Sequence, residues 1–146
     1  MNHTTEWTEW NRAEAICTSG LVIIRDRNYN LCEPWLCDCV TAPAPNRGAA
    51  LKQGVSEEDI ATAMERRIDL VLRTFIWHGN RNIVLGAFGC GVFKNLPESV
   101  AKCFHKVLFD DGLITYYDRV LFAIPDENSE NYRASHTKFG ISLTSK

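Results

Sequence analysis

The residues best suited to chemistry lie in two loops. One is Gly86-Ala87-Phe88-Gly89-Cys90-Gly91-Val92-Phe93-Lys94-Asn95, which separates an apolar run from a segment of helical pattern. Glycines let the backbone approach a ligand closely and take positive φ angles. Exposed amides there, joined to the following helix N-terminus, form a nest for a phosphate or diphosphate. Lys94 adds a positive charge, and Phe93 offers a ring for stacking on a sugar or base. The competing reading is a plain tight turn. Glycines at 86, 89 and 91 do not match G-x-G-x-x-G, and no G-x-x-x-x-G-K-[ST] occurs. The second loop is Thr41-Ala42-Pro43-Ala44-Pro45-Asn46.

Cys90 sits at a strand end between two glycines, as a nucleophile could. A nucleophile elbow, however, needs glycines two positions either side, and Phe88 and Val92 stand there. A Cys-His hydrolase would recruit His78 or His105. The simpler reading puts His105 on a helix surface and His78 near a helix end, where its charge suits the macrodipole. Asp126 and Glu127 follow an apolar run and read as solvated loop carboxylates. Cys32, Cys37 and Cys39 form C-x4-C-x-C, which is not a common zinc spacing. The six cysteines read as small reduced hydrophobes, with neither metal nor cofactor expected.

Positioning these loops requires a sheet. Cys37 to Ala42 is a short apolar run stopped by two prolines, which cannot donate to a ladder. Ser56 opens a helix with Asp59 as its capping-box partner. Ile60, Met64, Ile68, Val71, Leu72 and Phe75 then form one stripe, ended at Gly79. Asn82 to Phe88 is a second strand. Pro97 suits the first turn of the next helix, whose apolar face is Val100, Ala101, Phe104, Val107 and Leu108. Arg119 to Ile124 is a third strand, and Leu21 to Arg25 adds a fourth. The tail from Glu130 shows no period. Strand, helix, strand, helix, strand predicts α/β architecture, with a mostly parallel sheet covered by helices on both faces.

The 146 residues predict one domain, 45% apolar and 23% charged, as in a globular protein. A net charge of −2 gives no reason to expect a nucleic-acid or membrane-surface partner. The polar start MNHTTEWTEW shows no secretory signal, and no apolar run approaches ~18 residues. These features point to the cytoplasm, or the nucleus in a eukaryote.

TAPAPN, the Arg-bearing helix at Glu65-Arg66-Arg67-Ile68, NIVLGAFGCGVFKNLPESVAKCF and RVLFAI together resemble the microbial-type poly(ADP-ribose) glycohydrolases, which are macrodomains. The similarity spans about residues 10–126, including Arg25-Asp26 and Glu33-Pro34-Trp35. It implies a three-layer macrodomain-like fold and an ADP-ribose site. By that resemblance Gly89, Cys90, Gly91, Val92 and Phe93 wrap the diphosphate and distal ribose, Asn46 lines the same cleft, and the partner is ADP-ribose or an ADP-ribosylated protein. The family's catalytic triple-glycine loop and Gln-Glu-Glu run do not occur here; the adjacent pair Glu57-Glu58 lies at a helix start. The chain therefore resembles a truncated, C-terminal portion of the domain, and no catalytic residue is assigned. Binding of ADP-ribose without hydrolysis is the leading expectation. The alternatives are half of a split hydrolase completed by another chain, or a remnant or interaction module that binds no nucleotide. An open sheet edge is also expected. It would be covered by the segment from Met1 to Arg27, with Trp7, Trp10 and Leu21 to Ile24, or else drive self-association.

Overall fold

The computed structural model describes residues 14–139. Two strands come first, β1 (Ile16–Arg25) and β2 (Leu31–Thr41), paired antiparallel as a hairpin. At the turn, the Asp26 carboxylate accepts from the amides of Asn28 (2.8 Å) and Asn30 (3.0 Å). Tyr29 completes the turn in left-handed geometry at φ 64°. The register shifts between Ile23 and Arg25, opposite the stretch that holds Pro34. That irregularity lets a proline, with no N–H to give, sit inside a strand. A second shift falls at Gly20 (φ 70°), whose amide donates to Asp38 at 2.9 Å.

Two helices follow, α1 (Arg47–Lys52) and α2 (Glu57–Trp77). Ser56 Oγ accepts from Asp59 N at 3.0 Å, the N-cap expected from the sequence, but the Asp59 carboxylate accepts from the Ser56 hydroxyl (2.7 Å) and not from its backbone N–H, so only half of the expected capping box forms. Glu57, Glu58 and Asp59 lie in the first turn, where negative charge is favourable. Ile60, Met64, Ile68 and Leu72 are buried as one stripe. The helix ends with Gly79 N on Ile76 O and Asn80 N on Phe75 O, both 2.9 Å.

Strand β3 (Asn82–Leu85) pairs in parallel with β4 (Arg119–Phe122). Between them run α3 (Pro97–His105), a π-turn over Lys106–Asp110 and a 3-10 turn over Leu113–Tyr116. Ile83, Leu85 and Phe122 face inward onto Ile68, Leu72, Phe104, Val107 and Leu108. Each such side chain, fully buried, is worth ~1.5–3 kcal/mol. The Tyr117 hydroxyl donates to Leu72 O at 2.6 Å, and burial pushes its pKa up to about 12.

The sheet departs from the mostly parallel expectation. One ladder is parallel and one antiparallel, and the two do not join among the described residues. The strands at Asn82 and Arg119 also stop earlier than expected, because Gly86 already turns back to accept from Phe88 N at 2.9 Å. Covering by helices on both faces fails at the cross-strand pair Val84 and Leu121, which are 65% and 41% exposed. The tail without period is in fact a helix, α4 (Glu130–Phe139). It packs along α3 with Ser135 buried, and Phe139 stacks on Phe122 at 4.6 Å while Phe104 meets Phe122 edge-on at 5.3 Å. Trp7 and Trp10 lie outside the described residues. Leu21 to Ile24 do not cover an edge of β3 or β4; they belong to the hairpin, where Leu21, Val22 and Ile24 are exposed. No helix among the described residues is long and apolar enough to cross a membrane.

Candidate functional site

The glycine loop leaves the carboxyl end of β3 and leads into α3, where open α/β sheets place ligands. Several of its carbonyls are bonded within the loop. Ala87 O accepts from Cys90 N (3.2 Å), Gly91 O from Lys94 N (3.0 Å) and Gly89 O from Asn95 N (3.3 Å). The Asn95 side chain, only 5% exposed, donates to Gly89 O (2.9 Å) and to Pro45 O (2.8 Å). It thereby ties the loop after β3 to the loop after β2. The amides of Gly91, Val92 and Phe93 have no protein acceptor among the described residues. Gly91 is exposed, and Val92 is 90% exposed at the tip. The Phe93 ring is half-buried against the core.

Gly89 is required by geometry. Its φ is 71°, and a Cβ there would stand 2.5 Å from Ala44 Cβ and 2.7 Å from Asn95 Nδ2. Gly91 differs, since a Cβ on it would meet nothing within 4 Å. The loop is left-handed once more at Lys94 (φ 57°).

Asn46 stands beside this loop, half-buried, but its side-chain oxygen already accepts from Ala49 N at 3.0 Å as the cap of α1. It orients α1, whose Gly48 N donates to Phe93 O at 3.2 Å. Arg47 donates to Lys94 O (3.2 Å) and pairs through Nε with Glu57 (2.9 Å). The carboxylate raises the Arg47 pKa, and the guanidinium lowers that of Glu57. Asn95 and Arg47 were not singled out from the sequence. Their partners lie up to fifty residues away, and no local pattern marks such a bridge.

Nucleophilic chemistry at Cys90 is not supported. Burial pushes its thiol up to about 11, and its sulfur lies 3.8 Å from Phe88 O. His78 Nδ1 is 3.5 Å from Ser19 Oγ, whereas the His105 ring lies tilted against Phe109 at 5.0 Å. The Asp126 carboxylate accepts from Asn128 N at 2.9 Å in the turn that starts α4. Among the described residues no group of three or more His, Cys, Asp and Glu could hold a metal ion.

No protein-family model matches the chain, and no curated protein does. Solved structures do. The chain is 35% identical to the poly(ADP-ribose) glycohydrolase of Thermomonospora curvata, with a TM-score of 0.79 over 86% of this chain and 47% of that one. The same enzyme bound to the inhibitor ADP-HPD gives 35% and 0.79, covering 86% and 48%. The poly(ADP-ribose) glycohydrolase of Deinococcus radiodurans in complex with ADP-ribose gives 30% and 0.75, covering 86% and 52%. The resemblance to microbial-type poly(ADP-ribose) glycohydrolases is thus shown, and the α/β fold is that of a partial macrodomain-like domain. The chain spans about half the length of these solved structures.

Proposed function

We propose that this chain binds ADP-ribose at the Gly89 to Phe93 loop and does not by itself cleave poly(ADP-ribose). The observation that carries the reading is the row of amides at Gly91, Val92 and Phe93, left without acceptors among the described residues while the carbonyls of Gly89, Gly91 and Phe93 are bonded. Such a row presents partial positive charge to a diphosphate, and the adjoining helix N-terminus adds to it. Support also comes from the Deinococcus radiodurans structure, which was solved in complex with ADP-ribose. Asn46 then contributes by fixing α1 against the loop, and Phe93 by facing the distal ribose.

Cleavage of a glycosidic bond needs a positioned acid for the leaving oxygen. The sequence carries no Gln-Glu-Glu run, and among the described residues no carboxylate hydrogen-bonds to residues 86–93. Calorimetric titration of the folded chain with ADP-ribose tests the binding. Gly91→Leu should weaken it by about tenfold or more by blocking backbone approach. Its melting temperature should stay unchanged, because the added Cβ enters open space. A folded wild-type protein that gives no heat with millimolar ADP-ribose would refute the binding. Release of ADP-ribose from the polymer that survives repurification would refute the inactivity.

A further inference from the structure

We infer that Asn131 is a positioning residue for the glycine loop, acting through one bound water held between α4 and the start of that loop. Asn131 lies in the first turn of α4, but the helix makes no use of its amide. The cap is Ser129, whose Oγ accepts from Tyr132 N at 3.1 Å and whose carbonyl accepts from Arg133 N at 3.1 Å. The Asn131 Oδ1 is nonetheless buried and has no hydrogen-bond partner among the described residues. It borders a cavity of about 10 Å³ shared with Gly86, Ala87 and Cys90 of the glycine loop. Much of the remaining wall is apolar, with Val100 and Phe104 of α3 and Phe122 of β4.

A buried carbonyl oxygen without a donor is costly, and apolar side chains of α3 and β4 cannot supply one. A volume on the order of 10 Å³ takes a single water, and nothing larger, whatever approaches from outside. That water is stable only with two or more polar partners. The loop offers them. The Ala87 N–H donates to no described residue. The Gly86 and Ala87 carbonyls accept from Phe88 N and Cys90 N, and each keeps a second lone pair. Burial keeps the Cys90 thiol protonated, as a weak donor on the same wall. One O–H of the water therefore serves Asn131 Oδ1, and its other bonds go to the loop. Asn95 grips the loop at Gly89 from the side of Pro45, and the water grips it where it leaves β3. The inference does not depend on nucleotide binding.

A high-resolution crystal structure of the free chain, with amide hydrogen exchange of two variants, tests this. Density for one water should lie within hydrogen-bond distance of the Asn131 amide and of a backbone group of Gly86 or Ala87. Asn131→Leu, similar in size but without an acceptor, should speed exchange of the Ala87 to Cys90 amides about fivefold or more, with exchange in α2 unchanged. Asn131→Asp keeps an acceptor oxygen in the first turn of a helix, where negative charge is favourable, and should retain the parent rates. A side chain that only filled space would be replaced well by leucine. Well-ordered density without that water, an Asn131→Leu loop that exchanges like the parent, or an Asn131→Asp loop that exchanges like the leucine variant would overturn the inference.

Discussion

The glycine loop and the β1–β2 hairpin both satisfy most of their own backbone, yet they leave opposite things uncovered. In the loop the carbonyls of Gly86, Ala87, Gly89 and Gly91 are bonded internally, and Phe93 and Lys94 are bonded to α1. Consecutive amides remain, and side chains such as Phe88 and Cys90 turn to the core. In the hairpin the backbone is paired strand to strand, while Ile16, Leu31 and Leu36 stand about 70% exposed. Its polar ties to the helical body are the Asp38 carboxylate on Asn80 (2.8 Å) and the Ser19–His78 contact. A segment with bare amides on a buried base suits a small anion. A segment with paired backbone and bare apolar side chains suits a polypeptide partner.

Gly89→Ala should break the loop side of this comparison most severely. The substitution meets Ala44 and Asn95 and forces a left-handed φ on an L residue. Strain of ~1–2 kcal/mol from the backbone and ~1–3 from overpacking is expected. At this chain length that lowers the melting temperature by on the order of 10 °C. ADP-ribose binding should vanish with it. A Gly89→Ala protein that melts like the parent would show the clamp to be slack. The same substitution at Gly20 meets no neighbour within 4 Å, so its cost there is the φ alone.

The two regions should also differ in thiol chemistry. Cys39 is exposed on β2, whereas the Cys90 thiol is half-buried and pushed up to about 11 from an ordinary 9.0. Two pH units leave ~100-fold less thiolate at neutral pH, and the thiolate is the reacting species. Alkylation followed by peptide mass mapping should therefore label Cys39 early and Cys90 last of the pair. Early labelling of Cys90 would mean that the loop opens readily.

What the sequence made legible follows the range of the interactions. The α2 cap and stripe are set within four residues at a time, and the structure keeps them. The glycine loop could be placed between strand and helix for the same reason. Asn46 was legible as a polar residue at a strand end, but its cap to Ala49 is the role the structure shows. Asn95 was not legible, because its work is a bridge to Pro45. β2 appeared only from Cys37, since Pro34 reads as a breaker unless the facing strand is known to be irregular. α4 lacks an apolar stripe because the residue it buries against α3 is Ser135, with Phe139 the one large apolar side chain at its end.

The smallest effect expected is in the acid response. Hydrogen bonds from Asn80 and then from Gly20 N hold the Asp38 carboxyl below its ordinary 3.8, and the bond from Arg47 holds Glu57 below 4.5. Both folded-state values lie under the unfolded ones. Each group therefore contributes stability above its ordinary pKa that is lost as pH falls through the lowered one. The losses fall in different places. Protonating Glu57 loosens α1 from α2, beside a core that stays buried. Protonating Asp38 removes an acceptor from both Gly20 and Asn80, and the apolar side chains of the hairpin are too exposed to replace it. On acidification below about pH 4, amide exchange in residues 16–41 should therefore rise before exchange in α2 and β3 does. Asp38→Ala should produce the same loosening at neutral pH, with little change in core melting. If the hairpin and the core lose protection together at one pH, the hairpin is part of the cooperative unit, and the contrast between the two regions fails at its weakest tie.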